Sequence, residues 1–586
     1  MIYKSIIIQN EDEAKIIVRK SELKNKNFLA FSPDIRLILV QNSISNIFPT
    51  LDHFFDHSKV SKKLIEYEGK LNKILDNRIL IYDHIEETFT NLFYSILSSI
   101  EFYRILISQF DKDGPWLVYK KNTFELVYNF DEIISIIASK LINEKKGIFH
   151  ERRPINYQKN KKLNSIFDLL NKIIIKKSSS NGLWLTSTIY GQKTIIHKNK
   201  VKYPQLKMVY ISPPYGNTLL KLFKNFYKVI FNKTNIFEII PNVTKRKNFN
   251  ECIKIILDNI LDKNDFLLKK ILVPFFSDIC EYQYSLHFEV LKYFNLNPPK
   301  ILIAHQLNLF EPATVGSIFK DKSKKVFLIS HGSHRVSNNS TTNFELFRHA
   351  RGLLYSRFAT HLFIQEKSAF ELLNKIGHQN YKFKILFCDK PFMWSVQKIN
   401  KEDKKLKKDI IFLHASTFKM QSLRVEIFEN SFEYLDNIIT LSKEFSKLKG
   451  CKLVLRLRNL DECKIDTIKY YIKEYKNVFI SKNISFKDDL EQTHCLISFS
   501  STAIEEAYFN SIQVGLIDFN KKNNIEFNLS NLITRLNKKK LQSQLENLSI
   551  KIKTANQSDQ ISDRNNFLNK NNSLDFDNFI NNLFHI

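Results

Sequence analysis

Glycine is thinly spread in this chain: 586 residues hold 12 of them, and no two stand closer than nine positions apart. A chain of ordinary composition carries about 7%. The spacing excludes a G-x-G-x-x-G dinucleotide fingerprint and a Walker A loop, both of which need clustered glycines. Cysteine is equally sparse. Cys252, Cys280, Cys388, Cys451, Cys463 and Cys495 form no C-x-x-C pair, so neither a zinc site nor a disulfide framework is indicated, and a reducing, cytoplasmic setting fits. Long apolar runs are missing too. The N-terminal MIYKSIIIQNEDEAK is too short in its apolar part for a signal peptide, and the stretch from Leu92 to Phe110 is broken by Glu101 and Arg104, so no membrane span is expected. No His, Asp or Glu cluster has ligand spacing, so no metal is expected.

What is present is an ordinary globular balance. Hydrophobic residues make up 43% and charged residues 25%, close to the averages of about 45–50% and about 25% for folded domains. Lys and Arg number 89 against 60 Asp and Glu, a net charge of +29. Such a surplus points to a polyanionic partner, an anionic membrane surface or a lysine-rich codon usage. Because Lys, Ile and Asn crowd the whole chain and the base is spread rather than clustered, the charge is not read as nucleic-acid binding.

Short apolar, β-rich runs alternate with longer helical patterns, which is the mark of βαβ units and parallel sheets. The fold class is read as α/β, with two Rossmann-like doubly wound domains facing a cleft and an N-terminal α/β extension. The extension is placed at 1–110, with strand-like SIIIQN, RLILVQN and RILIYD before the helical NLFYSILSSIEFYRILISQF. The first doubly wound domain is placed at 111–395. It opens on WLVYK, continues through KIIIKKSSSNGLWLTSTIYG, read as strand, turn and helix start, and is clearest in KILIA, EPATVGSIFKD and KVFLIS. A linker at 396–408 leads to the second domain, 409–525, with strands in DIIFLHAS, CKLVLRLRN, NVFISKN, HCLISFS and QVGLID. Residues 526–586 are read as a helical, Asn-rich tail ending in a docking helix.

Chemistry is expected where strands end, because ligands of open parallel sheets bind beyond the carboxyl ends. The run Ser498-Phe499-Ser500-Ser501-Thr502-Ala503-Ile504-Glu505-Glu506-Ala507 puts a hydroxyl-rich turn between a buried strand and a helix, whose free N–H groups and dipole favour an anion. The same residues also suit a capping box, Thr502 as N-cap and Glu505 three residues on. Arg456 and Arg458 alternate in LVLRLRN, an arrangement that grips phosphate or pairs with local acids. Ser416 and Thr417 follow the first strand of the second domain on the same sheet edge. In the other domain His331, Gly332 and Ser333 follow KVFLIS; an imidazole there, beside a glycine that admits a substrate to the backbone, is placed to move a proton. His334 rivals it on the same loop. Between Asn217 and Phe237, Leu220, Phe223, Phe226 and Ile230 fall at helical spacing among lysines, a pattern that suits either anionic lipid or a core helix.

The segment SFSSTAIEEAYFNSIQVGLID resembles the donor-binding signature of GT-B glycosyltransferases, with Ser511 where that family usually has Gly and Gln513 where it has Pro. KVFLIS-His331-Gly332 with THLFIQEKSAFELLNKIG resembles bacterial capsule and surface-carbohydrate transferases. The matched stretches cover about 300–520. The resemblance implies a metal-independent glycosyltransferase that builds a surface or capsular polysaccharide, with a nucleotide-sugar donor as substrate, no further cofactor, a glycan or lipid-linked glycan acceptor, and peripheral contact with the inner face of a membrane. It implies that Ser500, Ser501 and Thr502 meet the donor phosphate and that Glu506 or Glu505 accepts from ribose hydroxyls. Gly332 and Ser333 would face the acceptor. Two other readings stay open: a nucleotide-sugar 2-epimerase, which shares the two-domain plan, and a non-catalytic glycan-binding or assembly protein, suggested by the missing Gly and Pro.

Overall fold

The computed structural model describes residues 5–51, 55–76, 79–80, 82–120, 123–152, 161–177, 183–185, 208–211, 220, 223–224, 226–227, 230–231, 236–239, 247–330, 334–365, 367–377, 382–388, 409–416, 426–458, 462–526, 532–554 and 573–574. Three sheets organise them. The first holds β1 (Ser5–Ile8), β2 (Asn27–Ala30), β3 (Ile47–Phe48), β4 (Trp116–Lys120) and β5 (Thr123–Val127) in the order β3-β2-β1-β4-β5. Its strands run parallel apart from the β4–β5 hairpin.

The second sheet contains β6 (Leu183–Leu185), β7 (Met208–Ile211), β8 (Ile236–Ile239), β9 (Ile301–Ala304), β10 (Lys325–Ile329), β11 (His361–Ile364) and β12 (Lys384–Cys388). The third contains β13 (Ile410–His414), β14 (Cys451–Leu455), β15 (Val478–Ile480), β16 (Cys495–Ser498), β17 (Gln513–Ile517) and β18 (Ile533–Leu536). A last short strand, β19 (Ser573–Leu574), returns to the second sheet and pairs with β12. Strand orders are β19-β12-β11-β10-β9-β6-β7-β8 and β15-β14-β13-β16-β17-β18, parallel throughout. In each, the chain lays two strands outward to one side of its first strand, β7 and β8 beside β6 and β14 and β15 beside β13, then returns to build the other side. Both are therefore doubly wound. Strands such as β9 and β16 are buried at every residue, as expected of parallel strands covered on both faces.

Four expectations change. WLVYK does not open the second domain: it is β4, beside β1, so the N-terminal unit runs at least to Val127 rather than stopping at 110. RLILVQN is helical, within Pro33–Gln41, because Ser32 accepts from the Ile35 amide at 3.3 Å and Pro33 sits in the first turn, which is a helix start. KIIIKK closes the helix Lys161–Lys177, and the strand is the LWL that follows as β6. The third sheet does not end at 525, since β18 and the helix Leu541–Thr554 extend it. The 396–408 linker and the terminal docking helix lie outside the described residues.

A single apolar core runs through the N-terminal unit and the first doubly wound domain, from Ile6 to Leu373, and takes in Ile427 from beyond them. The long helix Asp83–Phe110 lies at its centre, between Phe276 of the helix Phe266–Leu296 and the helix Phe310–Asp321. The two charges that interrupt its apolar run are satisfied there: Glu101 accepts from the Tyr67 hydroxyl at 2.9 Å and Arg104 pairs with Asp265. The third sheet has its own cores, one on each face.

Candidate functional site

In the third sheet the winding reverses between β13 and β16, so the loops leaving their carboxyl ends diverge and open a crevice, the place where ligands of such sheets bind. Ser416 and the 498–506 run both stand there. Ser416 is buried; its hydroxyl donates to Glu429 and accepts from the Phe499 amide at 3.2 Å. Ser498 donates to the Ala415 carbonyl at 3.0 Å. These bonds fasten the two loops together, so Ser416 braces the crevice instead of facing a ligand. Thr417 lies outside the described residues. His414, at the end of β13, is wholly buried and pushed down to about 3 by loss of solvent, so it stays neutral beneath the crevice floor.

The capping box expected at Thr502 and Glu505 does not form. Thr502 has helical backbone angles and its side chain makes no cap bond; Ser501 accepts from the Ala503 amide at 3.2 Å instead. Glu505 is turned away from the helix end because it has a stronger partner: Arg335, from the loop after β10 in the other domain, directs Nε (2.8 Å) and Nη2 onto Glu505 Oε1. Both side chains are buried. Ser500, Ser501 and Thr502 remain half-buried along the same edge, and Glu506 is buried in the short helix Ala503–Phe509.

The Arg335 loop is tied across the cleft at further points. The Glu526 amide donates to the Val336 carbonyl at 2.9 Å, and the Ser337 hydroxyl donates to the Asn524 carbonyl at 2.7 Å. Asn523 then donates to the Phe499 carbonyl at 2.8 Å, which connects this seam to the 498–506 turn. His331, Gly332 and Ser333 lie outside the described residues. His334 is buried, its ring 6.0 Å from that of His349 at the end of the helix Ser340–Ala350. That position belongs to the domain junction rather than to an open loop.

The paired-arginine reading is corrected. β14 stops at Leu455, so the alternation falls beyond the strand. Arg456 is committed to structure: it pairs with Asp489 and donates to the carbonyls of Asn483 (3.3 Å), Ile484 (3.2 Å) and Ser485 (3.2 Å). Arg458 is exposed and has no ion-pair partner among the described residues.

The sequence reading missed a buried polar junction where the three units meet. Glu433 caps its own helix Ser431–Phe445 in a capping box with Asn430, and also accepts from Lys522 Nζ at 2.7 Å and His57 Nε2 at 2.7 Å. Burial opposes ionisation of Glu433, but Lys522 and His57 outweigh it and hold the carboxyl below the usual carboxylate range. Glu345 accepts from the Ser61 hydroxyl at 2.8 Å and the Glu426 amide at 2.9 Å; burial, then the Glu426 charge, pushes it up to about 7. Thr341 and Thr342 donate to Glu426 at 2.9 and 2.7 Å. Glu429, held by Ser416 and Asn437, is likewise pushed up to about 7 by burial. The spacing Asn430-x-x-Glu433 before an apolar helix was legible as a cap; its partners His57 and Lys522, 376 and 89 residues away, were not.

No protein-family model matches the chain, and no curated protein matches it. Solved structures similar to it include the UDP-GlcNAc 2-epimerase of Neisseria meningitidis bound to UDP-GlcNAc, at 10% identity and TM-score 0.39, over 69% of this chain and 99% of that one. The lipopolysaccharide outer core galactosyltransferase WaaB, apo form, aligns at 11% identity and TM-score 0.37 over 69% and 99%. Acinetobacter baumannii MurG aligns at 9% identity and TM-score 0.37 over 67% and 97%. The fold class stands on the strand orders themselves.

Among the described residues no group of three or more His, Cys, Asp or Glu side chains could hold a metal ion, and no helix is long and apolar enough to cross a membrane. In the amphipathic stretch, Leu220, Phe223, Tyr227, Ile230 and Phe231 are all exposed. Phe226, the remaining residue of the expected apolar stripe, is half-buried.

Proposed function

We propose that the chain is a glycosyltransferase that moves a sugar from a nucleotide-activated donor onto a glycan or lipid-linked glycan, in the assembly of a surface or capsular polysaccharide. The observation that carries this reading is the facing of two doubly wound sheets of like strand order, whose carboxyl-end loops meet at Arg335 and Glu505. The donor would lie in the β13–β16 crevice, its phosphates over Ser500, Ser501 and Thr502 and its ribose toward Glu505 or Glu506. Displacement of the nucleotide builds charge on the leaving phosphate, and oriented amide groups around the 500–502 turn suit that charge. His331, with Gly332 and Ser333, would stand on the acceptor side. The exposed Leu220, Phe223, Tyr227, Ile230 and Phe231 would rest on anionic lipid, in keeping with an inner-membrane acceptor.

A thermal-shift screen against UDP-, GDP-, CMP- and CDP-linked ligands tests the donor assignment, because binding to the folded state raises apparent stability by mass action, about 2.7 kcal/mol at a hundredfold excess over Kd. One nucleotide class is expected to stabilise the protein over the others. Stabilisation by none of them overturns the donor site.

A nucleotide-sugar 2-epimerase is the second reading, favoured by one observation. Glu345, Glu426, Glu429 and Glu433 gather with His57, His334 and His349 at the junction, a set of acids and imidazoles of the type an epimerase needs around one sugar. Incubation with nucleotide-sugars separates the two. Free nucleotide released only with an acceptor supports the transferase, and epimerisation without acceptor supports the epimerase.

A further inference from the structure

A second opening, which the donor reading does not use, lies between the N-terminal unit and the third-sheet domain. It is a cleft of about 550 Å³, within the roughly 300–1,000 Å³ of sites that take small molecules. Phe55 and Phe102 line it from the N-terminal unit and Phe432 from the helix Ser431–Phe445. That helix opens beyond β13, and Asn520 and Lys538, also in the lining, follow β17 and β18. The cleft therefore stands at the carboxyl edge of the third sheet. Glu433 in its wall accepts from Lys522, whose Nζ lies 5.4 Å from the centre of the Phe499 ring, so the 498–506 turn is close by.

The polar groups of the lining are of two kinds. The charged ones are committed to one another: Glu433 to Lys522 and His57, and Asp436 to Lys538 at 3.5 Å. The neutral ones have capacity left. Asn430 uses Oδ1 to cap its own helix, which leaves Nδ2, and neither the Asn520 amide nor the Thr50 hydroxyl has a hydrogen-bond partner among the described residues. Amide and hydroxyl groups together offer both donors and acceptors. Set around phenyl rings, they suit a molecule with hydroxyls on its rim and C–H bonds on its face, which is the chemistry of a pyranose. A wall without uncompensated charge suits a neutral one.

We infer that this cleft is a saccharide subsite: it takes a neutral pyranose of the glycan away from the reacting end, so that the N-terminal unit and the third-sheet domain together hold the polymer while sugars are added. Its role rests on the transferase reading above, but binding of a sugar here does not, and the test keeps the two apart.

Saturation-transfer NMR is run on the full chain, without nucleotide, using the methyl glycosides of glucose, galactose, mannose and N-acetylglucosamine, with methyl glucuronide as the charged control. At least one neutral glycoside is expected to bind, with transfer strongest to protons of the ring face, and methyl glucuronide is expected to bind more weakly than methyl glucoside. Asn520→Leu removes an amide that supports nothing else in the fold and should raise Kd by about two- to tenfold, the range for one hydrogen bond. Phe432→Leu keeps an apolar wall, loses the flat ring and should act in the same direction. If Phe432→Leu does not fold, Thr50→Val takes its place. Wild-type binding in both variants puts the sugar elsewhere and overturns the proposal, as does binding of no neutral glycoside, or tighter binding of the glucuronide. Adding the nucleotide that the screen selects should leave the glycoside bound; displacement would assign the sugar to the donor crevice and overturn the subsite. Glycoside binding that the variants weaken, with no nucleotide bound at all, overturns the transferase reading and leaves the cleft a saccharide site.

Discussion

Ser511 shows what the donor-type signature asks of one residue. The helix Ala503–Phe509 ends in a Schellman turn: the Ile512 amide donates to the Ala507 carbonyl at 2.9 Å and the Ser511 amide to the Tyr508 carbonyl at 2.8 Å. Ser511 occupies the left-handed position of that turn, φ 55. Glycine suits this position because a Cβ there is unfavourable by about 1–2 kcal/mol; here the turn forms with serine in its place. Ser511→Gly should therefore raise stability, by about 0.5–1 kcal/mol once the greater chain entropy of unfolded glycine is subtracted, as read by urea denaturation. Thr502→Ala, lacking any cap bond to lose, should change stability by less than about 0.5 kcal/mol, against the ~0.5–2 kcal/mol of a lost N-cap. At Glu345 the sign of the pH effect follows from a raised carboxyl. Its contribution is fully present below the ordinary value of 4.5 and is lost as pH climbs through about 7. Glu345→Gln keeps the acceptor for the Glu426 amide and turns its NH2 to the Ser61 oxygen. Denaturation midpoints of this variant should flatten across that interval relative to wild type, and an unchanged slope would assign the effect to Glu429.

At the scale of elements, the sequence was most legible where periodicity and burial agree. The parallel strands β9, β10, β13, β16 and β17 are short apolar runs bounded by turns, and all lie where the pattern put them. It failed where a local start signal outweighed an apolar run, as at Ser32-Pro33, and where partnership is non-local, as for β4, which pairs with a strand more than a hundred residues earlier. The site follows the same division. The 498–506 turn and the Ser416 loop were visible as strand ends, but spacing cannot show that Arg456 is bound by the carbonyls of 483–485, or that Arg335 and Glu505 meet. The exposed face of Leu220, Phe223, Tyr227, Ile230 and Phe231 offers its own test. Phe223→Ser with Phe231→Ser should reduce co-sedimentation with vesicles containing anionic lipid, since burial of apolar area contributes about 25 cal/mol per Å²; binding equal to wild type would show that this face does not touch lipid.

For the whole molecule, the N-terminal unit is more than an extension. Its helix His57–Leu75 reaches both doubly wound domains, through Ser61 to Glu345 on one side and His57 to Glu433 on the other, while Asp34 accepts from the Lys464 amide at 3.0 Å and pairs with Thr467. Lys522→Met should be the most damaging single change at this junction, since it leaves Glu433 buried without its cation. The expected loss is about 3–5 kcal/mol, checked by denaturation at neutral pH. Because the N-terminal unit shares one apolar core with the first domain and polar bonds with the second, scanning calorimetry should show one transition rather than separate steps. A helix bonded to both sides of a cleft works as a tripod leg works on uneven ground. Two bodies joined by a strap rock freely, whereas three bodies in mutual contact have no common axis to rock about. Traffic through this crevice is then governed by how quickly its rim loops move, and turnover should respond to changes in those loops more than to solvent viscosity acting on whole domains.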